Sequence, residues 1–207
     1  HRHEQELMTK DATIREIHHR VKNNLQTVSA LLRLQSRRSS EEAVKVALAE
    51  AERRVQAIAT VHAALSQNVD ESVDFDEVAR TIVRMAGAIA STDHAVEVIT
   101  TGSFGTISAD QAQALATVLN ELVANSVEHG LADRDGRIEV CAQRDDLSMK
   151  VTVADDGVGF VPGTPMSGLG TQIVHQMVRG ELRGSIEWAP REGGGTLVTL
   201  HINLDPA

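Results

Sequence analysis

Residues Glu16–Gln26 read EIHHRVKNNLQ: two adjacent histidines, then an arginine, a lysine and two asparagines, with no glycine or proline. They lie inside a longer helical pattern, Thr13–Arg38. Within it Ile14, Ile17, Val21, Leu25, Val28, Leu31 and Leu32 recur at three- and four-residue steps. That spacing draws one apolar stripe along a helix. His18 follows Ile14 by four residues and precedes Leu25 by seven, so it falls on the edge of the stripe. His19 shares its face with Arg15, Lys22, Asn23 and Gln26, all polar. The register therefore predicts a part-buried His18 and an exposed His19. The exposed ring is the candidate nucleophile, since neutral imidazole is competent near neutral pH and the cations beside it attract phosphate. Glu16, three residues before His19, is the candidate to orient that ring or take its proton; a plain solvated helix charge is the simpler reading of it. Adjacent helical side chains diverge by about 100°, so the two histidines cannot share a metal ion.

Working outward, Ser39-Ser40-Glu41-Glu42 reads as a turn with a capping box from Ser39 to Glu42. A second helix follows to about Gln67, its stripe at Val46, Ala47, Ala51, Val55, Ile58, Val61 and Leu65. Two long helices and a short turn make an antiparallel hairpin. A hairpin alone leaves apolar surface uncovered. A second copy, giving a four-helix bundle, is the natural completion; packing on the rest of the same chain is the alternative.

The composition is that of an ordinary folded protein: 207 residues, 42% hydrophobic, 24% charged. No apolar run approaches the roughly 18 residues of a membrane span, and no charged-then-apolar signal segment opens the sequence. HRHEQ at the start reads either as an expression remnant or as the tail of an incoming helix. The single cysteine, Cys141, has no intramolecular partner and reads as a small hydrophobe in a strand, which fits a reducing, cytoplasmic setting. Charge is uneven. Residues 1–69 carry 11 Lys+Arg against 8 Asp+Glu, and residues 70–207 carry 9 against 21. The acidic second part argues against direct nucleic-acid binding there, and the asymmetry marks two units, 1–69 and 70–207.

After a linker at Asn68–Val73, Asp74 with Glu77 caps a helix to about Ala90, and Ala95–Thr100 alternates like a strand. Ser108 and Gln111 open a helix to about His129. Arg137–Gln143 and Ser148–Ala154 pair, Gly157–Gly170 is loop, Thr171–Arg179 is helix, and Ser185–Trp188 with Thr196–Asn203 forms a closing hairpin. The order predicts an α+β layer, helices on one face of a mainly antiparallel sheet.

Four short motifs sit on these elements. Asn120-Glu121-Leu122-Val123-Ala124-Asn125-Ser126 puts Glu121 and Asn125 one helical turn apart, a carboxylate and an amide able to hold Mg²⁺ against phosphates. Asp155-Asp156-Gly157-Val158-Gly159 ends an apolar strand with an acceptor and lets backbone approach a flat base. Gly168-Leu169-Gly170 precedes a helix, where backbone N–H groups hold anions. Gly193-Gly194-Gly195-Thr196 is a tight turn delivering a hydroxyl. Each alone reads as a mere turn; the four in this order point to a nucleotide site.

Together the motifs resemble the N, G1 and G2 boxes and the glycine–threonine element of the GHKL ATP-binding fold. Residues 14–67 resemble the dimerisation and phosphoacceptor hairpin of sensor histidine kinases. HRVKN, His19 to Asn23, is similar to the HWE/HisKA_2 group, and in particular to actinobacterial cytosolic kinases of that group that pair with an RNA-binding antiterminator regulator. The resemblance implies a long helical hairpin (a dimeric four-helix bundle) followed by a GHKL-type α/β sandwich. It implies ATP and Mg²⁺ as cofactors, with His19 as phosphoacceptor. Asn125 and Glu121 become metal ligands, Glu121 counting also as a catalytic group. Asp155 faces the adenine amino group, with Thr196 near the base, and Gly157, Gly159, Gly168, Leu169 and Gly170 border the lid. It also implies a homodimer, a response regulator with a receiver aspartate, and an upstream sensor domain not in this sequence. The sequence departs from the commonest kinases at Arg20, where they carry an acid after the histidine, at Asp156, at Thr171 and in a short lid, Phe160–Ser167. An anti-sigma-factor-like serine kinase and a non-catalytic nucleotide-binding scaffold are the competing readings; the hairpin argues against the first, and His19, Asn125 and Asp155 against the second.

Overall fold

The computed structural model describes residues 1–67, 71–90, 94–132, 134–163 and 168–206. It divides into two compact units, His1–Val73 and Asp74–Ala207. Part of the expected linker, 68–70, lies outside the described residues.

The first unit is a hairpin of α1 (Arg2–Arg38) and α2 (Glu42–Leu65). Helix α1 begins well before Thr13, because i,i+3 and i,i+4 pairs such as His3–Glu6 and Arg2–Glu6 support the polar lead-in. Cross-helix contacts run His18 to His62, Ser29 to Gln56 and Arg33 to Glu52, the falling numbers of an antiparallel pair. The predicted capping box does not form. The Ser39 hydroxyl accepts the Glu41 N–H at 3.2 Å, one residue short of the box, and Glu41 becomes the N-cap of α2 without a side-chain bond.

The single stripe of the sequence splits in two. Ile14, His18, Val21, Leu25, Ser29 and Leu32 are wholly or partly covered, whereas Ile17, Val28 and Leu31 are exposed. Two faces arise because steps of three and four drift around a 3.6-residue helix. A polar layer interrupts the covered seam: buried Ser29 accepts from Gln56 Nε2 at 2.7 Å, and Arg33 Nε donates to Glu52 at 3.0 Å.

The short strand β1 (Ser72–Asp74) leads to α3 (Phe75–Ala90), where the Asp74 carboxylate accepts the Asp76 N–H. Then come β2 (Val96–Gly102), β3 (Thr106–Ser108), α4 (Ala109–Asn125), a π-turn (Ser126–Gly130), β4 (Gly136–Asp145), β5 (Ser148–Asp155), α5 (Leu169–Arg179), β6 (Ser185–Pro190) and β7 (Thr196–Asn203). As expected, the Ser108 hydroxyl accepts the Gln111 N–H at the start of α4. Five strands form one sheet in the order β2-β4-β5-β7-β6, parallel only between β2 and β4. Alternate residues point into the core: Ile138, Val140 and Ala142 on β4, Met149, Val151 and Val153 on β5, Val198, Leu200 and Ile202 on β7. With Leu115, Leu119 and Leu122 of α4 and Val174 and Val178 of α5, they make a mainly aliphatic core, to which Phe75 and Phe104 add one edge-to-face aromatic pair. This is the predicted α+β layer. Cys141 sits half-buried on β4, on the face opposite Val140.

Candidate nucleotide site and phosphoacceptor helix

The sheet delivers Asp155 at the end of β5, 3% exposed. Its Oδ1 accepts the backbone N–H of Gly157 at 3.0 Å and of Thr196 at 3.3 Å, and the Ser126 side chain bonds it as well. Burial pushes the carboxyl above its ordinary 3.8; the three hydrogen bonds pull it back, and the neighbouring Asp156 pushes it up again. One atom thus ties the end of β5 to the start of β7. Thr196 reaches Asp155 through its backbone N–H.

The close approach fixes two glycines. A Cβ on Gly157 would meet the Gly130 carbonyl oxygen at 1.9 Å, and one on Gly195 would meet the Asp155 carbonyl oxygen at the same distance. The expected continuation of α4 to His129 is instead a π-turn, whose wider turn carries the Gly130 carbonyl to the Val158 N–H at 2.9 Å. Ser126 and Gly130 are therefore site residues that the sequence reading missed; the glycine just past the helix was the available signal. Gly159, at φ 74, completes the turn beside Gly195. Asp156 serves the sheet instead, its Oδ1 accepting the Arg137 N–H at 2.8 Å.

Along α4, Asn125 is partly exposed and Glu121 is 1% exposed. An amide oxygen with access fits Mg²⁺, which binds through one or two protein oxygens with phosphates and water completing its shell. Glu121, expected beside it as a second ligand, lies one turn earlier on the same helix and is buried. Gly168, at φ 123, is the N-cap of α5, and the helix opens at Leu169, two residues earlier than expected. Leu169 is 60% exposed. Part of the lid, residues 164–167, lies outside the described residues.

On α1 the histidines separate as the register required. His18 turns to α2: its Nδ1 lies 3.0 Å from His62 Nδ1, the rings 5.1 Å apart, and its Nε2 is buried with no hydrogen-bond partner. Burial, and then the neighbouring His18, lower the pKa of His62 below its ordinary 6.5. His19 is exposed, and its Nδ1 lies 3.2 Å from the Asn23 amide nitrogen. Glu16 is paired within its own helix rather than with His19. Its Oε1 accepts from Arg20 Nε at 3.1 Å, the favoured i,i+4 ion pair, while Asn23 holds the His19 ring.

Two families match. HisKA_2, a histidine kinase family, covers residues 16–89, and the histidine kinase-, DNA gyrase B- and HSP90-like ATPase family covers residues 110–206. The sensor histidine kinase PdtaS of Mycolicibacterium smegmatis is 45% identical over 208 residues, spanning 98% of this chain and 42% of that protein. PdtaS of Mycobacterium tuberculosis H37Rv is 45% identical over 206 residues, spanning 97% and 41%. The chain thus spans about two fifths of the length of the curated relatives it matches. In fold, the histidine kinase domain of the Erythrobacter litoralis blue-light-activated histidine kinase superposes with a TM-score of 0.66 at 23% identity, over 97% of this chain and 94% of that one. On these matches, and on the site residues they span, the chain belongs to the histidine kinases: a HisKA_2 segment followed by a histidine kinase-, gyrase B- and HSP90-like ATPase domain.

Proposed function

We propose that the chain is the core of a cytoplasmic sensor kinase that phosphorylates its own His19 from ATP and passes the phosphoryl group to a receiver aspartate on a separate response regulator. The observation that carries this reading is the split of the histidine pair: His18 is bonded into the hairpin, and His19 stands exposed beside Arg20 and Lys22 in a chain that also holds the Asp155 cradle. Asp155 accepts the adenine amino group. The Gly157 and Gly195 turns admit the base, and the N-terminus of α5 at Gly168–Gly170 receives phosphate oxygens. Asn125 holds Mg²⁺, which neutralises phosphate charge, with Glu121 supporting it. Positioning and charge neutralisation are most of the chemistry that phosphoryl transfer asks of a protein.

The hairpin works as a homodimer. Ile17, Val28, Leu31, Leu34 and Val46 are exposed on the isolated hairpin, and a second copy covers them in a four-helix bundle. Among the described residues no helix is long and apolar enough to cross a membrane.

The test is labelling with γ-phosphate-labelled ATP. Acid-labile label appears on the parent and on His18→Gln and is absent from His19→Gln. Undiminished label on His19→Gln overturns the assignment.

A further inference from the structure

We infer that Asn23 is a positioning residue for the phosphoacceptor, setting the tautomer of His19 so that Nε2 is the reacting nitrogen. The inference rests on the proposed phosphorylation of His19. A neutral imidazole has one N–H and one lone pair, and the partner of one nitrogen decides which is which. Here the partner sits on Nδ1: the Asn23 side-chain amide, one turn further along α1, approaches it to 3.2 Å. Nδ1 is thereby occupied, and Nε2 is the nitrogen of the exposed ring left without a side-chain partner among the described residues.

The amide has two ends and hence two settings. With the nitrogen toward His19, Asn23 donates to the Nδ1 lone pair, the ring proton moves to Nε2, and neither nitrogen is free to attack. Turned by 180°, the amide presents its oxygen, which accepts Nδ1–H and leaves the Nε2 lone pair free. Glu16 competes for neither setting, because Arg20 holds it at 3.1 Å. No other side chain bonds to His19 among the described residues.

The second setting removes the need for a base. The Nε2 lone pair attacks Pγ, the N–P bond forms, and the bond from Pγ to the β,γ-bridging oxygen breaks. ADP leaves with that electron pair. The ring becomes a phosphorylated imidazolium still carrying Nδ1–H, which the Asn23 oxygen stabilises until that proton passes to water. Asn23 takes up no proton at any point. Arg20, standing where the commonest kinases carry an acid, is no obstacle on this route.

Three variants and two readouts test the inference. Asn23→Ala lowers the autophosphorylation rate constant roughly fivefold, the population shift one neutral hydrogen bond supports, with the KM for ATP unchanged. Asn23→Asp, whose carboxylate accepts Nδ1–H without needing the correct flip, restores the rate or exceeds it. ¹⁵N chemical shifts of histidine-labelled protein, with the His19 signals assigned by loss in His19→Gln, move toward the Nε2–H tautomer in Asn23→Ala and toward Nδ1–H in Asn23→Asp. Parental rate in Asn23→Ala, a loss that Asp does not rescue, or unchanged ring shifts in both variants overturns it. Failure of the parent to label at His19 is a different outcome: it removes the kinase reading, and the ¹⁵N shifts still decide whether Asn23 sets the tautomer.

Discussion

Asp155→Asn separates what the carboxylate does for the fold from what it does for the ligand. Both backbone donors, from Gly157 and Thr196, go to the same oxygen, Oδ1. Asparagine keeps that oxygen and converts only the other into NH₂; Ser126 can reverse its hydroxyl to suit. The site therefore still closes, but the group facing an adenine amino group changes from acceptor to donor. Losing a hydrogen bond to a charged partner is worth about 1.5–3 kcal/mol, so the Kd for ATP rises by about ten- to a hundredfold. Stability moves differently. The folded pKa of Asp155 lies above its ordinary 3.8, so the folded chain holds that proton more tightly than the unfolded chain does. Ionising it costs stability as pH rises from 3.8 through the raised value. Asparagine has no such cost. At pH 7 the variant melts no lower than the parent, and its advantage disappears on acidification below 3.8. Isothermal titration with ATP and thermal melts across pH measure both halves. ATP affinity within twofold of the parent refutes the adenine assignment. A variant that melts well below the parent at pH 7 refutes the electrostatic argument.

Four other outcomes follow from the same geometry. Gly157→Ala drives a Cβ into the Gly130 carbonyl and costs about 1–3 kcal/mol in thermal denaturation, with ATP affinity falling alongside. Asn125→Ala abolishes the Mg²⁺ dependence of ATP binding while leaving the melting temperature near that of the parent, measured by titration with and without the ion. Because the His62 pKa is lowered in the fold, the unfolded chain binds more protons there; stability rises with pH through the window below 6.5 and is lost on acidification. Circular-dichroism melts show this as a falling Tm below pH 6.5, and His62→Gln flattens the dependence. Leu31→Asp, on the exposed apolar face of α1, converts the dimer to monomer in analytical ultracentrifugation.

Legibility in the sequence followed the range of the interactions. The helices were readable because 3.6-residue periodicity and breakers are local signals, and the Ser108 cap was readable for the same reason. Which residues of a broad stripe face the neighbouring helix was not: Ile17 and Ile14 look alike in sequence, and only the packing of α2 separates them. The histidine pair was separable because adjacent helical residues diverge so widely. Asp155 could be placed at a strand end, but not its partners, since Thr196 lies 41 residues away and approaches through backbone, which carries no sequence signature. The π-turn at Ser126–Gly130 looks like plain helix in sequence because it departs from the α pattern by hydrogen-bond spacing alone. For Glu16 the sequence left two readings open, and the contacts that bear on them, Glu16 with Arg20 and His19 with Asn23, are i,i+4 pairs on the same helix.

The contact between His18 and His62 has a mechanical consequence for its neighbour. Rotating α1 about its own axis is the simplest way to re-aim His19, and every degree of that rotation swings His18 away from α2. The Nδ1–Nδ1 contact at 3.0 Å is therefore one notch that resists this rotation, alongside the covered apolar side chains of the same seam. The polar layer of Ser29, Gln56, Arg33 and Glu52, further along the same seam, is a second notch on the same shaft. The azimuth of His19 is thus held in part by side chains of α1 and α2 other than its own.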